Sequence, residues 1–163
     1  MLCEVNDAVV ESLRNLKGEQ LQLNYFNYRD YSREDGFVLS GGSDYFFIKS
    51  ISKSFVDKYE LHLLQLEQVW AGDVEEELRF EMIEEGELEE IHLFAHSLSN
   101  ITVENHYVER VSSECAMMIN FKEKSPLFIY PKVQVFGNSA LEEDTDKILD
   151  IISTLQLHKT RTL

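Results

Sequence analysis

Leu78-Arg79-Phe80-Glu81-Met82-Ile83-Glu84-Glu85-Gly86-Glu87-Leu88-Glu89-Glu90-Ile91-His92-Leu93-Phe94-Ala95 is the stretch on which the fold turns. Leu78, Phe80 and Met82 alternate with Arg79 and Glu81, the period of a strand with one buried face. Ile91, Leu93 and Ala95 repeat that period beyond Glu85-Gly86. With Glu85-Gly86 as a two-residue loop the runs form a hairpin. Phe80 then faces Ile91 and Leu78 faces Leu93, which puts both apolar sets on one side. Glu-Gly is a poorer loop than Asn-Gly, because Glu85 resists positive φ. Leu88, Ile91, Ala95 and Leu98 also fit helical spacing, so residues 88–98 stay open between strand and helix; the register favours strand.

Upstream, Asn6 or Asp7 can cap a helix with Val9, Leu13 and Leu16 on one face, closed by Gly18. Strands are expected at Leu21–Tyr25, Phe37–Leu39 and Tyr45–Ile48. Tyr59–Trp70 is apolar at both parities in its middle, as a central strand covered on both faces would be, and Ala71-Gly72-Asp73 turns the chain. Downstream, strands are expected at Ile101–Val108, Met117–Phe121 and Leu127–Phe136, with Pro131 marking an edge or a bulge. Ser139 and Glu142 form a capping box ahead of a helix carrying Leu141, Ile148, Ile151, Ile152 and Leu155. Residues 157–163 are expected to fray. The reading is α+β: a mostly antiparallel, curled sheet of about eight or nine strands, flanked by an N-terminal and a C-terminal helix, in one domain over residues 1–163.

Charge is the unusual quantity. Thirty acidic residues against fifteen basic ones leave a net charge of −15. Such a surface repels phosphate backbones and anionic lipid and attracts cationic partners, so neither a nucleic acid nor a membrane is the expected partner. Two cysteines, Cys3 and Cys115, are too few for a disulfide framework. No basic segment leads into an apolar run at Met1–Asp7, and no run reaches the roughly 18 apolar residues of a membrane span. A cytoplasmic protein is expected.

Catalytic patterns are missing. His92 and His96 have helical metal-ligand spacing, but Leu93 stands where a zinc protease carries its Glu. On a strand the two rings would lie roughly 13 Å apart, too far to share an ion; only a helix would bring them together, with Glu89 as a third ligand. Ser43 follows Gly41-Gly42 without the elbow that exposes a nucleophile. Cys115 has Glu114 beside it and no basic neighbour in sequence to activate the thiol. No Gly-rich phosphate loop occurs. The aromatic clusters Tyr25, Phe26, Tyr28, Tyr31 and Tyr45, Phe46, Phe47 read as core, with base stacking a weaker option in the absence of a cationic groove. The expectation is a non-enzymatic chain with no cofactor and no bound metal.

The positive signal is the acidic run: Asp73, Glu75, Glu76, Glu77, Glu81, Glu84, Glu85, Glu87, Glu89 and Glu90. Against these ten carboxylates stands only Arg79, so the run is net −9 of the total −15. In the hairpin register Glu81 faces Glu90 and Glu84 faces Glu87, and like charges placed so destabilise a ladder. A cationic partner would relieve that repulsion and speed encounter.

In size, acidity and lack of catalytic motifs the chain resembles bacterial toxin-immunity proteins of the contact-dependent inhibition type. The resemblance implies a stoichiometric inhibitor that neutralises a basic partner by covering the substrate groove of a cognate nuclease-type toxin. It transfers no functional residue. Two other readings stay open: a small-ligand-binding or enzymatic α+β domain with a cavity closed by the C-terminal helix, and a secretion-type chaperone or nucleic-acid mimic.

Overall fold

Gly86 lies inside a strand. The computed structural model describes residues 2–3, 5–28, 36–55, 59–76, 78–103, 105–132 and 139–163. In chain order they form β1 (Leu2–Cys3), α1 (Asp7–Arg14), β2 (Gln20–Tyr28), β3 (Gly36–Gly41), β4 (Asp44–Phe55), β5 (Tyr59–Trp70), a 3₁₀ turn at Ala71–Asp73, β6 (Leu78–Val103), β7 (His106–Phe121), β8 (Leu127–Pro131), β9 (Ser139–Glu142), α2 (Thr145–Thr154) and β10 (His158–Thr162). β6 is 26 residues long and runs straight through the expected hairpin loop. A Cβ on Gly86 would come within 3.1 Å of the Phe121 Cβ, so this glycine serves a close approach of side chain to backbone. The glycines with positive φ are elsewhere among the described residues, at Gly18 and Gly42.

The two apolar runs of β6 therefore face different partners. Residues 78–87 pair with β2, Phe26 opposite Phe80 and Leu21 opposite Gly86. From Leu88 the strand pairs with β7, Leu93 opposite Met117. Register shifts leave Ile83 and Glu89 as extra residues on either side of the change of partner. Such bulges bend a strand and raise its twist, which lets one strand serve two half-sheets. Residues 88–98 are strand, and the helical alternative is set aside.

Among the described residues the strands join in one sheet, ordered β5-β4-β3-β2-β6-β7-β8-β9, with β1 parallel to β7 and β10 antiparallel to β6. The remaining ladders are antiparallel. The sheet curls so that its first half lies against its second. Ser50 Oγ donates to the Cys115 carbonyl at 2.6 Å, and Ser113 Oγ to the His62 carbonyl at 2.6 Å. The main core fills the space between the halves, with Leu23, Phe46 and Ile48 meeting Leu93, Met117 and Ile129; Val10 and Leu13 of α1 join it. Phe94, next to Leu93 and so on the opposite face, belongs to a second core with Cys115, Phe128 and Ile148 of α2. Burial pushes the Cys115 thiol up to about 12, which keeps it protonated and inert.

Several expectations are corrected. Tyr59–Trp70 lies at the end of the pairing order rather than at its centre. Ile101–Val108 is split by the β6–β7 turn, with Val103 opposite His106 and Asn105 at φ 64°. β8 ends at Pro131 and lies between β7 and β9, so Pro131 closes a strand that is not an edge; residues 133–138 of the expected longer strand lie outside the described residues. Ser139–Glu142 is β9, and α2 is capped by Asp144, whose side chain accepts from the Asp146 and Lys147 amides. The last residues do not fray: β10 pairs with β6, and Leu163 is buried with its amide and carbonyl both bonded to Ile91. Among the described residues no helix is long and apolar enough to cross a membrane.

Candidate functional site

The structure places the acidic run along the connector after β5 and the first half of β6, extending to the bulge at Glu89. Glu77 lies outside the described residues. The facing glutamate pairs of the hairpin register do not form: Glu81 stands opposite Tyr25, and Glu84 opposite Leu23. Cross-strand repulsion between these carboxylates is therefore not a feature of the fold.

Part of the run is neutralised by the chain itself. Lys124 Nζ meets Glu84 Oε1 at 2.8 Å and also donates to the Glu85 carbonyl. The Lys124 hydrogen bond, helped by the Glu85 amide, holds the Glu84 carboxyl below its usual range. Lys122 lies 3.7 Å from Glu87, and His92 Nε2 3.1 Å from Glu90. Glu85 accepts from Gln22 at 3.4 Å. Asp73, Glu75, Glu76, Glu81, Glu85, Glu87 and Glu89 are all exposed.

Apolar side chains stand among these carboxylates. Trp70 is 59% exposed, Phe80 42% and Met82 56%. Phe80 and Met82 lie two apart on β6 and so share a face, and the Phe80 ring stacks on Tyr45 with centroids 6.0 Å apart. The alternation that suggests a buried face for Leu78, Phe80 and Met82 is present, but it points part of its apolar set to solvent.

The start of the connector is tied to the β3–β4 turn, the Ala71 amide donating to the Ser43 carbonyl at 2.7 Å. Beneath it lies a cleft of about 150 Å³ with Phe26 and Phe47 in its wall and Lys49, Glu67, Asp73 and Glu75 around it. Lys49 Nζ sits 5.6 Å from the Phe26 ring centroid. The sequence marks Phe26 and Phe47 as core aromatics, but their meeting with Glu67 and Lys49 escapes it, because β2, β4 and β5 bring these residues together from distant positions.

A second recess, of about 270 Å³ and open, lies between Tyr130 of β8 and Ile151 and Leu155 of α2. His92 and His96 serve other contacts: Nδ1 of His92 is 3.0 Å from Thr162 Oγ1, and Nδ1 of His96 is 3.1 Å from the Leu155 carbonyl. Among the described residues no group of three or more His, Cys, Asp or Glu is placed to hold a metal ion. Comparison with protein-family models, with curated proteins and with solved structures finds no match.

Proposed function

We propose that this chain is an acidic protein-binding inhibitor that docks on a basic protein through the first half of β6 and the connector before it. The observation that carries the reading is the coincidence of exposed apolar and exposed acidic groups. Of the five large apolar side chains left exposed among the described residues, Phe80 and Met82 fall within the acidic segment, and Trp70 ends β5 three positions before Asp73. Protein interfaces are enriched in Trp, Phe and Met at their centres, and charged residues around such anchors steer the encounter and choose the partner. A merely solubilising face would carry the carboxylates without the anchors. Glu84 and Glu87 are engaged by Lys124 and Lys122, which leaves Asp73, Glu76, Glu81 and Glu89 for the partner. In its narrower form, suggested by the resemblance to toxin-immunity proteins, the partner is a nuclease-type toxin domain whose substrate groove this surface covers.

The test begins by isolating proteins retained by the chain at low salt and released at high salt. The affinity of a purified, basic one is then measured for wild type, for Glu81→Lys with Glu85→Lys and Glu89→Lys, and for Phe80→Ser with Met82→Ser. Both variants are expected to lose at least about tenfold, and the charge variant to lose the salt dependence as well. Unchanged affinity in both would remove this surface from the interface.

A further inference from the structure

The cleft under the connector has the chemistry of a slot for one cationic side chain. Its wall is aromatic and aliphatic, with Phe26, Phe47 and Leu78 contributed by three strands. Glu67 and Asp73 border it beside one lysine, Lys49. Among the described residues Glu67 and Asp73 form no ion pair, and Lys49 rests over an aromatic ring without one. An aromatic face that already carries an ammonium group is a place where a cation is stabilised by the ring quadrupole. A recess of about 150 Å³ is the size that admits a benzene-sized group. A guanidinium is planar, stacks on aromatic faces and pairs with a carboxylate through two donors, where an ammonium offers only a point charge.

Resting on the reading that the partner is a basic protein, we propose that this cleft seats the guanidinium of a single arginine side chain on that partner, stacked on the Phe26 face that Lys49 now covers, with the Phe47 ring standing perpendicular to it, and paired with Glu67 and Asp73. Lys49 holds the aromatic face until the arginine displaces it. The slot adjoins the exposed anchors, since Leu78, two residues before Phe80, forms part of its wall. An arginine entering here would fix the register of the partner on the acidic strand.

The experiment titrates the full chain with Nα-acetyl-arginine methylamide, following backbone amide shifts by NMR. The citrulline analogue, which keeps the shape and loses the charge, is the control. Saturable shifts are expected at Phe47, Lys49, Glu67 and 73–75, with none from citrulline. Glu67→Gln with Asp73→Asn should weaken binding at least about fivefold, and Lys49→Ala should tighten it about two- to fivefold by removing the competing cation. Both are exchanges of surface groups, and the spectrum itself reports whether the fold persists. Shifts spread evenly along β6, equal binding of citrulline, or weaker binding in Lys49→Ala would each overturn the slot. Charge reversal at Glu81, Glu85 and Glu89 separates the two proposals. If it abolishes partner binding while the arginine probe never engages the cleft, the slot fails alone. If the probe binds the cleft and the partner ignores the reversal, the surface reading fails and the slot stands.

Discussion

β6 is one strand with two lives. Its first half, residues 78–87, pairs with β2 and leaves Phe80, Met82 and most of its glutamates in solvent. Its second half lies between β7 and β10, and Leu88, Ile91, Leu93, Phe94 and Ala95 are all buried. The backbone is the same on both sides of Gly86, so the contrast comes from what covers each face. The second half meets the opposing half-sheet on one side and α2 on the other, while the first half ends in an apolar strip with acidic neighbours. One half spends its apolar residues on stability and the other keeps some in reserve.

The contrast can be broken most forcefully from the buried side. Leu93→Ala should cost about 2–5 kcal/mol, the range for a leucine truncated in a closed core, whereas Met82→Ala, at 56% exposure, should change stability by under about 0.5 kcal/mol; denaturant titration of the two variants measures the difference. Comparable losses would mean that the halves are packed alike. The joint between them comes next. Gly86→Val should destabilise by about 1–3 kcal/mol through collision with Phe121, and Gly86→Ala by less, since the larger side chain adds contacts to the same Phe121 atoms. Equal losses in the two variants would point to the backbone rather than to Phe121.

Acid sharpens the comparison, because each half is tied to a carboxyl held below the usual 4.5, for different reasons. Glu114, on β7 opposite Ala95, is pushed up by burial, but the bonds from Arg161, Thr160 Oγ1 and the Val5 amide outweigh this and keep it low. A depressed carboxyl stabilises the fold above its unfolded value and loses that contribution as pH falls through the folded one. Melting temperature should therefore decline below about pH 4.5, and Glu114→Gln should flatten that decline while lowering stability at pH 7. The smallest effect belongs to the exposed side. Lys124→Ala should change stability by less than about 1 kcal/mol and return the Glu84 carboxyl toward its ordinary range, as an NMR titration of the side chain would show.

Much of this architecture was legible in the chain. Leu21–Tyr25, Phe37–Leu39 and Ile91–Ala95 are strands as their apolar runs suggest, and Asn6 does cap the first helix. The failures share one cause, which is that a local signal has two physical origins. A glycine after glutamates marks a turn or a close approach, and only Phe121, 35 positions away, decides for the latter. Ser139 and Glu142 satisfy a capping pattern, yet Ser139 Oγ instead accepts from the Ser50 amide at 2.7 Å. The acidic run itself is plain in the sequence. Its partial neutralisation by Lys122 and Lys124, and the cleft that Glu67 and Lys49 share with Asp73, arise only when the sheet curls.

The half-buried Arg161 guanidinium bridges Glu114, Asp7 and the Val5 carbonyl, joining segments more than 150 positions apart. The β6–β7 ribbon between them closes through a short turn and can zip early, whereas these end-to-end contacts must wait for the longest chain closure in the molecule. Folding should thus finish where the two ends meet. A weakened Arg161 would show itself first as faster unfolding, with the ribbon's own rate of formation little altered.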